Sequence, residues 1–489
     1  MTDVALDRVI HALDAAGQLV ARHGRLPATV TAIADDTRRL QPGALFAAVR
    51  GTQSDGHAFL AAAAERGATI ALVEDPSRTT LPRLVVRDGR RAAAVAAVAF
   101  YGAPARALQL IAVTGTNGKT TTVGILRHLF DEPASRAASI GTLGVLVGSE
   151  GAPLAGGGGL TTPGPVELQR LLRALVDGGV RTVAMEVSSH ALEQRRVEGV
   201  RFAAAVFTNL TRDHLDYHGT MDSYFDAKAR LVESLADDGV AVVNADDPAW
   251  DRLPPVPRRV TFGVTAPTAD VGARDVRYDA SGSVWQVVAG GESAAVALPL
   301  LGDFNVANAL AAVATAVALG QQLTVAAARV TTTPQVPGRL EVLHEHPTVL
   351  RDYAHTPDAL ERALAAVRPF TAGRLIVVFG CGGDRDRGKR PVMGAIAERG
   401  ADFTIVTSDN PRTEDPEQIL DDIERGMTER PHLRIEDRRG AIAAALGEAN
   451  ADDVILLAGK GHETYQVRGT TQHPFDEKAI VAGLTAAAR

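Results

Sequence analysis

A single cysteine, Cys381, stands in a chain of 489 residues, so neither an internal disulfide nor a cysteine-rich zinc site can form. Such sparing use fits a reducing compartment. There is no excess of positive charge either: 51 basic residues against 58 acidic ones leave a formal net charge of −7. That excludes a bulk basic field able to recruit nucleic acid or an anionic membrane. The longest nearly apolar run, residues 309–319, falls well short of the ~20 residues that cross a bilayer. The opening MTDVALDRVIHALD carries acids where a secretion signal needs a basic start and an apolar stretch. A cytoplasmic protein without membrane insertion is therefore expected. Lysine is scarce as well: Lys119, Lys228, Lys389, Lys460 and Lys478 stand against 46 arginines. Mutational bias alone can produce such a skew. The remaining lysines are nonetheless candidates for work that needs a compact or titratable amine, which guanidinium does not supply.

What is present is ordinary globular material, 46% apolar and 22% charged. At ~150 residues per domain the length suggests roughly three domains. Short apolar runs alternate with helix-like stretches, the pattern of a parallel α/β architecture. Residues 44–49, 68–74 and 83–88 read as strands, 57–66 and 89–101 as helices, and 102–105 as a linker. A strand over 108–113 runs into a Gly-rich loop and a helix over 120–130, with further strands at 180–187, 203–207 and 240–244. Beyond a second linker at 334–338 come strands at 348–352, 374–379, 402–407 and 454–458. Each of these four ends in polar or Gly-rich residues, and in open α/β sheets ligands bind beyond the carboxyl ends of the strands. No internal repeat of 20–50 residues occurs.

The strongest local signal is Thr114-Gly115-Thr116-Asn117-Gly118-Lys119-Thr120-Thr121 between strand and helix. Glycines let the backbone curl round phosphates, Lys119 neutralises the β/γ-phosphates, and the Thr120 hydroxyl can reach a magnesium ion. The first glycine of the standard P-loop spacing is absent, and a plain tight turn is the alternative. Glu186 ends a strand and His214 lies in Asn209-Leu210-Thr211-Arg212-Asp213-His214. Both suit magnesium-nucleotide chemistry, although either alone is as readily structural and histidine is a minority ligand for so hard a cation. Lys228, on a helix, reads by itself as a solvated surface lysine.

The strings GTNGKT, EVSSH and TNLTRDHLDYHGT together resemble the Mur ligase family, which makes amide bonds with ATP. The resemblance covers essentially the whole chain and is strongest to members that add the third residue of the peptidoglycan stem peptide. It implies three α/β domains: 1–105 binding a UDP-sugar, 106–336 of P-loop type with a mostly parallel sheet binding ATP, and a Rossmann-like 337–489 binding an amino acid. It implies a catalytic set of Lys119, Glu186, His214, Lys228 and Arg339. Thr120, Glu186, His214 and a carbamylated Lys228 would hold Mg2+. ATP, a substrate, would meet Gly115 to Thr121, Asn305 (by itself also a helix cap), Arg339 and Asp352.

The same resemblance implies that UDP-N-acetylmuramoyl-L-alanyl-D-glutamate contacts Asp35, Thr37, Thr52, Gln53, Ser54, Thr161, Thr162, Ser188, Gln194 and Arg196. The third substrate would meet Arg385, Asp409-Asn410-Pro411-Arg412, Gly459 and Glu463. The DNPR string is the spelling of diaminopimelate-adding members. Meso-2,6-diaminopimelate carries a distal carboxylate that lysine lacks, which Arg412 can grip with two parallel hydrogen bonds. The alternatives are the lysine-adding ligase, against which the arginine argues, and a folylpolyglutamate-synthetase-like ligase, against which the extra N-terminal domain argues. A nucleotide-driven switch usually carries an NKxD guanine reader, and that string does not occur. A monomer is expected, and Cys381 has no catalytic role in this chemistry.

Overall fold

Valine-, leucine- and alanine-rich runs that end at glycine or polar residues form parallel strands, because burial on both sheet faces leaves no room for an alternating pattern. The computed structural model describes residues 3–51, 54–156, 159–279 and 281–487. Thr52 and Gln53, expected in the sugar-nucleotide pocket, lie outside the described residues. The chain folds into two compact units. The first ends at Gly272 and resumes over Leu310–Ala326, and the second holds Ala273–Ala309 and the chain from Ala327 onward.

Besides a two-stranded antiparallel pairing of Val4–Ala5 with Thr29–Val30, the first unit holds two larger sheets among the described residues. The smaller runs Leu19–His23, Arg83–Val86, Ile70–Val73, Leu45–Ala47, Ile33–Ala34, antiparallel at its first pair and parallel thereafter. Helices Leu6–Ala15 and Gly89–Tyr101 cover one face through Leu6, Val9, Leu13, Ala93, Ala97 and Phe100. Helix Leu60–Glu65 covers the other through Leu60 and Ala63. The Asp88 carboxylate accepts from the N–H groups of Arg90 and Arg91, and Gly102 ends that helix in the left-handed conformation at φ +78°. The expected linker at 102–105 is thus a tight cap followed by the 3-10 turn Pro104–Ala107.

The larger sheet of this unit places Gln109–Thr114 between Val180–Glu186 and Phe202–Phe207, all parallel. Arg136–Gly141 lies beyond Val180–Glu186, and Leu235–Asn244 and Arg259–Gly263 beyond Phe202–Phe207. Helix Pro165–Asp177 packs Leu168, Leu171, Leu172 and Leu175 onto Leu110, Val183, Met185 and Phe207.

In the second unit Thr348–Asp352, Val454–Ala458, Leu375–Phe379, Phe403–Val406 and Leu433–Arg434 are parallel neighbours in that order, with Glu341–Glu345 antiparallel at one edge. Helices Pro357–Val367, Lys389–Gly400 and Pro416–Glu424 cover one face, and Arg438–Glu448 and Glu477–Ala487 the other. The parallel register brings the carboxyl ends of four strands, and the loops after Asp352, Phe379, Val406 and Ala458, to one sheet edge.

Candidate active site

In the first unit the loop from Gly115 to Gly118 leaves the buried strand end and opens helix Lys119–Phe130. Gly115 has φ +145° and Gly118 φ +84°, and a Cβ on Gly115 would collide with the Thr208 hydroxyl. Only glycine meets both demands. The segment after Phe202–Phe207 pins the loop: Thr116 N donates to Asn209 O (2.7 Å), Asn117 N to Asn209 Oδ1 (2.9 Å), and Thr208 Oγ1 to Asn117 O (2.7 Å). Thr120 and Thr121 sit buried in the first helical turn.

Lys119 Nζ donates to Gly115 O (2.9 Å) and Thr116 O (2.8 Å). Lys228 Nζ donates to the same Gly115 O (2.8 Å) and lies 4.5 Å from the ring centre of Tyr224. The solvated reading of Lys228 is therefore corrected: the residue is 1% exposed, because helix Met221–Ala229 turns Tyr224, Phe225 and Lys228 inward. Burial, and next the Lys119 ammonium, push the Lys228 amine well below the usual lysine range, against the pull of Asp213.

Glu186, 1% exposed, accepts from Thr142 N (2.9 Å) and Thr142 Oγ1 (3.3 Å). His214 starts helix Leu215–His218 at φ +53° beside Asp213. Its imidazole titrates below the usual range, through burial first; the Asp213 charge opposes this, and Lys119 and Lys228 add to it. Thr162 Oγ1 donates to Glu186 O (3.0 Å) and accepts from Ser188 N (3.1 Å), while Thr161 meets the Thr142 hydroxyl (3.2 Å). Arg196 donates to Thr162 O (2.9 Å) and to Gln194 Oε1 (2.8 Å). A Cβ on Gly164 would lie 3.6 Å from Asp35 Oδ2, which brings Asp35 to the end of this threonine loop. Thr37 O accepts from Arg66 Nη1 and Ser54 O from Gly51 N (both 2.8 Å). Among the described residues no three histidine, cysteine or acidic side chains form a metal-holding cluster. No described helix is long and apolar enough to cross a membrane.

In the second unit Asn305, buried in the first turn of helix Phe304–Ala318, donates to Leu301 O (2.6 Å) and accepts from Asn308 Nδ2 (2.9 Å). Its side chain thus donates backward to a carbonyl and is not the cap of a helix N–H. The Arg339 guanidinium lies 4.9 Å from the Tyr353 ring centre. Asp352 Oδ2 accepts from Leu340 N (2.8 Å), and burial raises its pKa, against the Arg339 charge.

Asp409 and Asn410 are buried at the end of Phe403–Val406. Gly459 has φ +118°, a conformation that favours glycine, and a Cβ there would lie at ordinary contact distance, 3.6 Å, from Asp409 Oδ2. Glu463 Oε2 accepts from Asn410 Nδ2 (2.9 Å). Arg412, itself at φ +52°, donates from Nη1 to Gly383 O (2.8 Å), and Arg385 donates to Asp384 O (3.0 Å). A Cβ on Gly382 would lie 2.9 Å from Arg412 Nη1 and 3.8 Å from Arg385 Cγ, so both arginines flank this one glycine. The loop cluster therefore gathers two guanidinium groups with two carboxylates and an amide. Sequence reasoning missed Thr142, which nothing local signals, and named Lys460 only as one of the scarce lysines, without a place in the site.

Comparison with known proteins gives consecutive matches: the Mur ligase family, catalytic domain, over residues 29–108; the Mur ligase middle domain over 113–316; and the Mur ligase, glutamate ligase domain, over 338–461. The UDP-N-acetylmuramoyl-L-alanyl-D-glutamate--2,6-diaminopimelate ligase of Geobacillus kaustophilus is 45% identical, over 94% of this chain and 95% of its own. The protein of that name from Geobacter metallireducens is also 45% identical, over 98% and 97%. A solved structure of a ligase of the same name aligns at a TM-score of 0.69 and 35% identity, covering 100% of this chain and 99% of that one. Mycobacterium tuberculosis folylpolyglutamate synthase shares the fold, at a TM-score of 0.60 and 19% identity over 75% and 91%.

Proposed function

The chain belongs to the Mur ligase family, and from that membership we propose that it joins meso-2,6-diaminopimelate to UDP-N-acetylmuramoyl-L-alanyl-D-glutamate, with ATP converted to ADP and phosphate. The observation that carries the choice of amino acid is the loop cluster in the second unit, where Arg385 and Arg412 flank Gly382 beside Asp409, Asn410 and Glu463. Such a pairing of cations with anions suits a molecule with an amino-acid head at each end. Glu463 and Asp409 take an ammonium, and Arg412 takes the distal carboxylate. Pro411 and Gly459 are assigned to the same site.

A free carboxylate is a poor acyl donor, because oxide would have to leave. Transfer of the γ-phosphoryl group makes an acyl phosphate; the neutral amine attacks its carbonyl carbon, and phosphate leaves with the bonding electron pair. Lys119, now resting on two carbonyls, exchanges them for phosphate oxygens, and loop N–H groups and the helix N-terminus add positive potential. Asn305, Arg339 and Asp352 are assigned to the nucleotide, with Arg339 offsetting charge on the transferring group. Asp35, Thr37 and Ser54 are assigned to the sugar nucleotide, and Thr161, Thr162, Ser188, Gln194 and Arg196 to the peptide arm.

The donors fit a magnesium ion: Thr120 and Glu186 offer oxygen, and a hard cation keeps water and phosphate oxygens in its remaining positions. When bound, Mg2+ supplies charge neutralisation at the phosphates. His214 is assigned beside it. A neutral Lys228 amine adds to carbon dioxide and loses a proton, giving an oxygen-bearing carbamate, and its depressed pKa supports that neutral form. The domain division at 105/106 and 336/337 belongs to the same reading.

The test supplies ATP and the UDP-muramoyl-dipeptide and measures which amino acid triggers ADP release. Diaminopimelate is expected to give a kcat/KM at least ~10²-fold above that of lysine, the worth of a buried charge-paired group. Equal rates with the two amino acids would refute the assignment.

A further inference from the structure

Lys460 is fully buried, with no solvent-exposed side-chain surface. Three oxygens converge on its ammonium: Asn410 Oδ1 at 3.0 Å, Asp409 Oδ1 at 3.3 Å and Glu463 Oε2 at 3.4 Å. The Phe475 ring lies on another side, 6.0 Å away. Asp409 and Asn410 follow strand Phe403–Val406, whereas Lys460 and Glu463 follow Val454–Ala458. One ammonium thus ties together two loops distant in sequence. It also orients the Asn410 amide. Lys460 Nζ and Val467 N (2.9 Å) both donate to Oδ1, which leaves Nδ2 to donate to Glu463. Neighbouring bonds hold the same loops in register, with Gln466 Nε2 donating to Asp409 O (2.8 Å) and Arg412 N to Val467 O (3.0 Å).

We infer that Lys460 is a positioning residue for the amino-acid substrate: its buried ammonium sets the spacing of Asp409, Asn410 and Glu463 and offsets the repulsion between the two carboxylates. This rests on the assignment of those three residues to the amino acid. Removing the ammonium takes away the cation shared by Asp409 and Glu463, so the two carboxylates repel and their spacing is lost. Glu463 keeps 16% of its side-chain surface open while Lys460 keeps none, so Glu463 meets the substrate and Lys460 acts through it. Three acceptors round a point match a compact ammonium better than a planar fork, consistent with a lysine surviving here in a chain of 46 arginines.

The test uses the full-length enzyme and separate KM values for diaminopimelate, ATP and the UDP-muramoyl-dipeptide. Lys460→Met is expected to raise the diaminopimelate KM at least tenfold while the other two stay within twofold of wild type. Lys460→Arg, which keeps the charge but not the shape, is expected not to restore it. If Lys460→Met unfolds below the assay temperature, Lys460→Gln carries the same comparison, with a smaller rise of at least threefold. Glu463→Gln separates the two levels of the argument. If it leaves the diaminopimelate KM unchanged, the pocket assignment fails; if it raises that KM while the Lys460 variants do not, or raise all three KM values alike, the inference about Lys460 alone is overturned.

Discussion

Gly115 O accepts from the Nζ of both Lys119 and Lys228, and the Lys119 charge adds to burial in keeping the more buried amine neutral. Lys228→Ala is therefore expected to lower kcat by ~10³-fold or more, and small carboxylates such as formate are expected to recover part of it by replacing the carbamate oxygens. Unchanged kcat in the variant, or no response to added carboxylate, would count against the carbamate. Arg412 supplies a second expectation. Arg412→Ala is expected to reduce kcat/KM for diaminopimelate by ~10²–10³-fold and to narrow the preference over lysine, with Arg412→Lys recovering only part; equal losses for both amino acids would remove the distal-carboxylate contact. Both residues were legible in the sequence through the resemblance, but neither setting was. The burial of Lys228 depends on Tyr224 and on a loop more than 100 positions away, and the backbone strain at Arg412 depends on its pairing with Val467. Thr142, which holds Glu186, belongs to no recognisable string at all.

Elements whose residues are uniformly apolar were easy to read. The strand at 454–458 and the helix at 89–101 match Val454–Ala458 and Gly89–Tyr101 to the residue, because all five strand positions are buried and because Asp88 and Gly102 mark the helix ends. Strands Val271–Asp279 and Glu292–Leu298 went unread. They bury only an occasional position and carry Arg, Asp, Glu and Ser elsewhere, so no period emerges from the sequence. The loop after Val454–Ala458 also carries a pH expectation. Burial, then the Arg339 and Arg351 charges, depress His462 to about 4, against ~6.5 when unfolded. The unfolded chain thus binds this proton more tightly. Stability is complete above ~6.5 and falls as pH drops toward 4. The melting temperature is expected to decline by a few °C, roughly, across that window, and His462→Asn is expected to flatten the decline; identical slopes would show that His462 does not titrate in it.

Taken whole, the molecule sets the loop from Gly115 to Gly118 and the threonine-lined group around Glu186 in one compact unit, and the loop cluster around Asp409 and Glu463 in the other. No side chain in either needs to bond covalently to substrate, and Cys381 is sealed against Met393 with its thiol pushed up to about 12 by burial. If an acyl phosphate forms, one 18O atom from a labelled glutamate carboxylate is expected to appear in the released phosphate per turnover, read by mass spectrometry. Phosphate without label would exclude that intermediate. The gathering of four loops at the carboxyl ends of the second unit's strands has an evolutionary consequence. The strands carry the packing, and on the proposed reading the loops carry the recognition, so residues 385, 412 and 463 can be rewritten for another amino acid while the sheet is inherited untouched. Lys460 marks the limit of that freedom: its buried ammonium bridges two of those loops, so on the inference above a change at 460 displaces Asp409, Asn410 and Glu463 together and no single recognition residue can be rewritten in its place.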